Sequence, residues 1–181
     1  MYGADIDLVW KASPRDNFHV GVEYLASKYD DFKRTAPSTG VRTATACSVA
    51  GYNPTPGSLA PAVIDCSSQQ MLRAPNWSGS VSYQHQFELG SAGELAIDLK
   101  TTFASASWLD VGYTPLLRQK FYALPEASMT YNTPGAGSLT VWIKNIGNQM
   151  VMSGGTQSVD LYARPTVLPP RTFGVTYRYS F

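Results

Sequence analysis

Two cysteines are the residues of this sequence whose type and spacing most readily suggest chemistry. Cys47 and Cys66 lie in one stretch of the chain that is rich in small polar residues. A disulfide between them would close a loop of about 20 residues and stabilise the fold by ~3 kcal/mol in the chain-entropy model. The alternative is two unrelated thiols in a loop. We favour the bridge and take Cys47 and Cys66 as a disulfide candidate.

The ionisable side chains offer weaker candidates for a site. Asp5 and Asp7 occupy alternate positions, and Glu23 is expected across a hairpin from them, so the three carboxylates could hold a cation. Carboxylates solvated by water on a polar face are the simpler interpretation, and we favour it. His19 and His85 have no cysteine or carboxylate at a ligand-like spacing, so we predict no metal site.

Enzymatic chemistry has little to rest on in this sequence. Serine is abundant, but no Gly-x-Ser-x-Gly element and no glycine-rich phosphate loop accompany it. The formal net charge of +1 and the lack of a Lys/Arg cluster give no reason to expect nucleic acid as a partner. We therefore predict a protein that is not an enzyme, with no catalytic residue, no metal and no cofactor.

Strands with one apolar face must position these residues, because apolar side chains recur at every second position. The period of two holds in seven segments: 2–11, 18–26, 77–87, 95–103, 121–131, 139–143 and 173–181. Several run for roughly ten residues, the length that crosses a bilayer core when a strand is tilted by about 45°. The predicted fold class is all-β, an antiparallel up-and-down meander of about seven long strands.

The connections between these strands alternate between short and long. Short turns rich in Pro, Gly, Asp and Asn occupy 13–17, 89–92 and 134–137, and long irregular segments occupy 30–76, 109–119 and 149–171. Outer-membrane β-barrels have short periplasmic turns and long extracellular loops. We therefore predict that 30–76 is a long extracellular loop, where an oxidising environment favours the Cys47–Cys66 bridge.

Aromatic side chains concentrate at both ends of the predicted strands. Trp10, Phe18, Phe87 and Tyr131 lie near the short turns, and Tyr2, Tyr29, Trp77 and Trp108 lie near the long loops. Two such girdles are expected where aromatic rings sit at the level of the lipid head groups. Charged residues make up only 15% of the chain, against roughly 25% in soluble domains. Both features favour a surface that faces lipid.

Five stretches, in order along nearly the whole chain, resemble motifs of TonB-dependent outer-membrane receptors. Gly3-Ala4-Asp5-Ile6-Asp7 with Trp10 and Pro14 resembles the family's G-x-E-x-x-x-x-W-x-P hairpin, 24–32 its Y…A-x-Y-x-D-F strand end, and 73–78 its L/R-x-P-x-W strand start. The most specific are WIKNIGN at 142–148 and PPRTFGV at 169–175, which resemble the family's V/W-x-x-N-L-x-D/N and PPRTYGV. The chain is therefore similar to the C-terminal third of such a receptor's barrel.

The resemblance implies that residues 1–181 form one C-terminal β-barrel segment, an open part of a 22-stranded transmembrane β-barrel. A signal peptide, a TonB-contacting segment and a plug domain are not found in the sequence, so we expect a fragment. The implied location is the outer membrane of a Gram-negative bacterium. The implied partners are outer-membrane lipid, the remainder of the barrel and plug, the TonB complex, the barrel-assembly machinery and an unidentified small-molecule substrate.

The implied function is energy-coupled uptake of a scarce solute such as siderophore-bound iron, cobalamin or a glycan. In this family the last strand closes the barrel and ends on an aromatic residue that the assembly machinery is understood to recognise. Five positions match that pattern and form the implied barrel-assembly signal: Thr172, Gly174, Tyr177, Tyr179 and Phe181. A terminal Phe is stable if its ring lies at the interface and its backbone pairs with a neighbouring strand.

Two functions from other classes stay open at the level of sequence. A small porin-like or structural outer-membrane barrel requires an even number of strands and an N-terminal strand that pairs with the last one. A soluble β-sandwich or lipocalin-like binding module would press the apolar phases together and bury Val81, Ile97 and Val141. The receptor interpretation predicts instead that these side chains point outward from an open sheet.

Overall fold

The computed structural model describes residues 1–37, 45–52, 55, 60–135, 137–157 and 163–180. The strands within these ranges are β1 (Tyr2–Ser13), β2 (Asp16–Ala26), β3 (Lys33–Pro37), β4 (Ser48–Ala50), β5 (Pro61–Asp65), β6 (Trp77–Glu88), β7 (Glu94–Ala104), β8 (Ser107–Trp108), β9 (Arg118–Gln119), β10 (Tyr122–Asn132), β11 (Gly137–Lys144), β12 (Met152–Gln157), β13 (Ala163–Val167) and β14 (Thr172–Tyr179). Single turns of 3-10 helix lie at Gly90–Ala92 and Pro115–Leu117. Within the described ranges, no helix has the length and apolar character needed to cross a membrane.

Seven long strands form one antiparallel sheet in the order β1-β2-β6-β7-β10-β11-β14. Each of these strands therefore pairs with the next long strand along the chain, and the predicted all-β meander is confirmed. Among the described residues, β1 pairs only with β2 and β14 only with β11, so the sheet is open at both edges. The first strand has 12 residues and the last has 8.

The register of this sheet places the apolar residues of all seven strands on one side. Val20 of β2 lies opposite both Leu8 of β1 and Val81 of β6, and Val141 of β11 lies opposite Val175 of β14. Directly opposite residues in antiparallel strands project to the same side. We call this side the apolar face; it carries Leu8, Val20, Val81, Ile97, Met129, Val141 and Val175. The opposite side, the polar face, carries Asp7, Glu23, Lys100, Glu126 and Arg178.

The apolar face is exposed rather than packed into a core. Val81 and Val141 are each 44% exposed, and Ile97 is half-buried. A soluble sandwich would bury all three residues, so the structure contradicts that alternative. Among the described residues of the seven-stranded sheet, a single apolar residue is buried: Ala104, the last residue of β7.

The buried core lies instead in the long connections. Residues 30–76, predicted to be irregular, contain a three-stranded sheet in the order β3-β5-β4, which packs against 107–119. We call these two segments together the cap. Its core consists of Cys47, Ile64, Cys66, Trp108 and Tyr113. The sequence did not reveal these strands because three to five residues are too few to show a clear period.

Candidate functional site

The cap is held together by the cysteine pair considered in the sequence. Cys47 and Cys66 form a disulfide with their Cα atoms 4.8 Å apart. The bridge joins the residue before β4 to the residue after β5, and the backbone amide of Cys66 donates a hydrogen bond of 2.8 Å to the carbonyl oxygen of Phe32. The disulfide therefore ties together the strands that enclose the cap core.

Tyr113 lies at the centre of the cap core. Its ring is 5.4 Å from that of Trp108, centre to centre, and its hydroxyl donates a hydrogen bond of 2.6 Å to the carbonyl oxygen of Gln70. Burial raises the pKa of Tyr113 to about 12, since the interior disfavours the phenolate. Two carboxylates anchor the surrounding loops. Asp110 accepts hydrogen bonds from the backbone amide and the hydroxyl of Thr114, and hydrogen bonds from Ser67 lower the pKa of Asp65.

Two of the aromatic residues assigned to a girdle lie at the cap, Trp108 within it and Tyr29 directly before it. Trp108 is only 8% exposed, and the ring of Tyr29 packs against that of Phe32 with 4.8 Å between centres. Trp108 is therefore buried in the cap core rather than exposed in a girdle, and the girdle assignment of Tyr29 stays a prediction. Both residues lie beyond the ends of the long strands, since β2 ends at Ala26 and β7 at Ala104. The cap buries Trp108 and leaves Tyr29 half-buried.

The other aromatic residues lie along the seven-stranded sheet. At the short-turn end, the ring of Phe18 is 5.2 Å from Trp10 and 4.6 Å from Tyr83, centre to centre. In this same band of the sheet, Phe87 contacts His85, and the hydroxyl of Tyr131 donates to the carbonyl oxygen of Ala92. At the long-loop end, Trp77 lies 4.7 Å from Tyr24, and Tyr2 is exposed near the start of β1. These rings form two rows at opposite ends of the long strands.

The histidines have carboxylate neighbours that their sequence spacing does not suggest. Nε2 of His19 lies 2.8 Å from a carboxylate oxygen of Asp7, and Nδ1 of His85 lies 2.6 Å from one of Asp16. The second pair is on the apolar face, because Asp16 begins β2 directly opposite His85 instead of remaining in the turn. The pairing of neighbouring strands brings each histidine next to its carboxylate. A known strand register would therefore have revealed both histidine–carboxylate contacts.

The three carboxylates considered for a cation do not gather into a metal site. Asp5 lies opposite Glu23, whose carboxylate accepts a hydrogen bond of 3.2 Å from the Ser78 hydroxyl. Across the described ranges, no group of three His, Cys, Asp or Glu side chains is placed to hold a metal ion. All three carboxylates lie on the polar face, as the interpretation of solvated side chains requires.

The last strand, β14, contains four of the five implied assembly residues. Thr172 lies opposite Lys144, Gly174 opposite Trp142, and Tyr177 opposite Leu139. Tyr177 and Tyr179 share the apolar face. Phe181 lies outside the described residues.

A candidate binding site lies at the long-loop end, where two cavities meet at Arg73. One, of about 360 Å³, is an open groove lined by Arg73 and the β12–β13 hairpin. The other, of about 440 Å³, shares Arg73 and Ser153 with the first and extends to Ser78 and Thr102 on the polar face. Reasoning from sequence missed this site, since Arg73 entered that reasoning only as the first residue of the strand-start motif at 73–78.

Comparison with known proteins gives one similarity, in fold. No family model matches the sequence, and no curated protein matches it. A solved structure, the ferric yersiniabactin uptake receptor FyuA from Yersinia pestis, matches with a TM-score of 0.69 at 14% sequence identity. The match covers 99% of this chain and 23% of the receptor chain, so this chain spans less than a quarter of the receptor's length. The seven-stranded meander thus has the fold of a segment of that receptor's barrel.

Proposed function

We propose that the chain is the C-terminal part of the β-barrel of a TonB-dependent outer-membrane receptor that takes up a scarce solute. The observation that carries the proposal is the exposed apolar face shared by seven long strands of an open sheet. Soluble monomers rarely expose a contiguous apolar patch larger than a few hundred Å². The likeness in fold to an uptake receptor supports the same conclusion.

The proposed orientation follows from the two faces and the two ends of the sheet. The apolar face contacts lipid, and the polar face, which carries Asp7, Lys100 and Glu126, lines a watery lumen. The two aromatic rows lie at the head-group levels, where amphipathic rings are favoured. The short turns are then periplasmic and the cap is extracellular, a location in which the disulfide persists.

The open edges require the rest of a barrel. Unpaired backbone groups of β1 and β14 cannot be satisfied in lipid, so other strands must pair with both edges. In a 22-stranded barrel these strands and an internal plug would come from the remainder of the receptor, through which the TonB complex would act. Thr172, Gly174, Tyr177, Tyr179 and Phe181 would present the closing strand to the barrel-assembly machinery.

A small closed barrel fits less well, because it needs β1 and β14 to pair with each other. The seven-stranded sheet has an odd count, and its two edge strands pair only with their chain neighbours among the described residues. The solute would be one that a receptor of this type concentrates, such as siderophore-bound iron, cobalamin or a glycan.

Quenching of tryptophan fluorescence by a brominated detergent tests the orientation. Trp10 and Trp77 lie on the apolar face and are 57% and 51% exposed, whereas Trp142 lies on the polar face and Trp108 in the cap. We expect single-tryptophan variants of the chain, refolded in brominated micelles, to be quenched strongly at Trp10 and Trp77 and weakly at Trp142 and Trp108. Protection of Trp10 and Trp77 would place the apolar face in a dry interior and contradict the proposal.

A further inference from the structure

We propose that Arg73 and Arg164 form a binding site for a soluble anionic ligand, of the kind that carries carboxylate groups. The biological purpose of the site rests on the proposed function, because the cap would then be the outer vestibule through which the solute passes. The site itself rests on four features: the face of the β12–β13 hairpin, the position of Arg73, the absence of competing carboxylates and the direction in which the cavity opens.

One face of the β12–β13 hairpin provides most of the site. Thr156 lies opposite Arg164 and Gly154 lies opposite Thr166, and these alternate pairs share a face. This face lines the open cavity of about 360 Å³ together with Arg73 and Ser153. The Arg164 guanidinium and the hydroxyls of Thr156 and Thr166 are therefore donors that can serve the same cavity.

Arg73 approaches from the cap side. Its backbone φ is 55°, and its amide donates a hydrogen bond of 2.9 Å to the carbonyl oxygen of Trp108. Left-handed backbone is unfavourable for a residue other than glycine, so the surrounding fold must hold Arg73 in this conformation. The side chain reaches Gly154, where a Cβ would lie 3.3 Å from Nη2 of Arg73. Glycine at this position thus leaves space for the guanidinium over the hairpin.

The other face of the hairpin fixes its position. A Cβ at Gly155 would lie 2.5 Å from a methyl carbon of Leu117 and 3.0 Å from the carbonyl oxygen of Arg164. The amide of Met152 also donates a hydrogen bond of 2.7 Å to the side-chain oxygen of Gln119. The hairpin is therefore docked against the cap before any ligand arrives, which lowers the entropic cost of binding.

The positive charge at this site has no counter-charge among the described residues. No carboxylate from that part of the chain lines the cavity, and neither arginine forms an ion pair there. Three of the cap carboxylates have other partners: Asp31 pairs with Lys33, Asp65 with Ser67, and Asp110 with Thr114. The fourth, Asp30, lines neither cavity. A carboxylate that bridges the two guanidinium groups would supply the missing charge through paired hydrogen bonds.

The direction of the cavity favours a soluble anion over a lipid head group. The adjoining cavity of about 440 Å³ contains Arg73 and Ser153 and reaches Ser78, Thr102 and Tyr122. These last three residues project to the polar face, since Ser78 and Tyr122 both lie opposite Ala104. A ligand held by Arg73 would therefore face the watery side of the sheet.

Calorimetric titration of the full chain in neutral detergent micelles tests the site, with citrate as the probe at low ionic strength. We expect citrate to bind and glucose not to bind. Arg73→Gln and Arg164→Gln should each weaken citrate binding at least about tenfold, because each removes hydrogen bonds to a charged group. Arg178→Gln is the matched control, because Arg178 is an exposed arginine of β14 that lines neither cavity. This variant should keep its affinity for citrate within about twofold of the unaltered chain.

Several outcomes would overturn the inference. These are no citrate binding by the unaltered chain, equal affinities for all four proteins, or displacement of citrate by micellar phosphatidylglycerol with equal affinity, which would indicate a head-group site. Near-UV circular dichroism verifies that the variants keep the cap. If they do not, Arg73→Lys and Arg164→Lys replace them and should still weaken binding, since lysine keeps the charge and loses the bidentate fork. If citrate binds but Trp10 and Trp77 are shielded from detergent, the proposed function is refuted and the anion-binding site stands.

Discussion

The indole ring of Trp142 lies against Gly174, its partner across the β11–β14 pair. A Cβ on Gly174 would come within 2.5 Å of the ring carbon Cζ2, and the indole Nε1 donates a hydrogen bond of 3.3 Å to the hydroxyl of Thr176. The closing strand therefore uses a residue without a side chain so that the ring can lie close to the sheet on the polar face.

We expect Gly174→Ala to destabilise the fold by about 1–3 kcal/mol, because the added methyl group displaces the Trp142 ring. Gly147→Ala is the matched control, since nothing lies within 4 Å of a Cβ built at Gly147. Urea unfolding in micelles, followed by far-UV circular dichroism, gives both free energies. Equal stability of the two variants would show that the ring moves aside at no cost.

Removal of the disulfide should loosen the cap and leave the seven-stranded sheet intact. In Cys47→Ser combined with Cys66→Ser, we expect the free energy of cap unfolding to fall by about 3 kcal/mol, since the loop regains its freedom in the unfolded chain. Fluorescence of Trp108 measures the cap, and far-UV circular dichroism measures the sheet. Loss of both signals in a single transition would contradict a separately stabilised cap.

Alkaline pH should weaken the cap through Tyr113. Its folded pKa of about 12 exceeds the ordinary tyrosine pKa of about 10, so its contribution to stability is complete below pH 10 and is lost as the pH rises toward 12. Tyr113→Phe should remove this part of the decline and cost about 1 kcal/mol at neutral pH, because the hydrogen bond to Gln70 is lost. Trp108 fluorescence during denaturant titrations at several pH values gives the comparison. Identical pH profiles would refute the role of Tyr113.

Adjacent residues on opposite faces of β6 should respond differently to a positive charge. Val81 projects to the apolar face and Ser80 to the polar face. We expect Val81→Lys to destabilise the refolded chain by about 2–4 kcal/mol, since lysine at a lipid-facing position is costly, and Ser80→Lys to have little effect. Unfolding in micelles measures both. Equal penalties would imply that detergent covers neither face selectively.

Much of the fold was predictable because alternation is a local property. Tyr2, Ile6 and Leu8 all occupy even-numbered positions of the first strand, so they project to one side of it. No distant residue is needed to recognise a strand with one apolar side. The positions of the turns after β1 and after β6 were predictable for the same reason, since Pro, Gly, Asp and Asn residues bend the chain locally. The first turn is shorter than predicted, because Asp16 and Asn17 belong to β2.

The cap was not predictable, because its stability depends on contacts between distant segments. Ile64 lies in a five-residue strand, and Trp108 and Tyr113 come from a connection more than forty residues later. Trp108 therefore resembled a girdle residue by its position near a strand end, although tertiary packing buries it.

By itself the sequence determined that seven strands each have an apolar side and a polar side, because a period of two depends only on neighbouring residues. Only the tertiary structure decided that the register places the apolar sides of all seven strands on one exposed face. It also decided that Arg73 contacts the β12–β13 hairpin, some 80 residues later in the chain. Both facts depend on which strands pair and where loops dock, and these are settled by the packing of the whole chain.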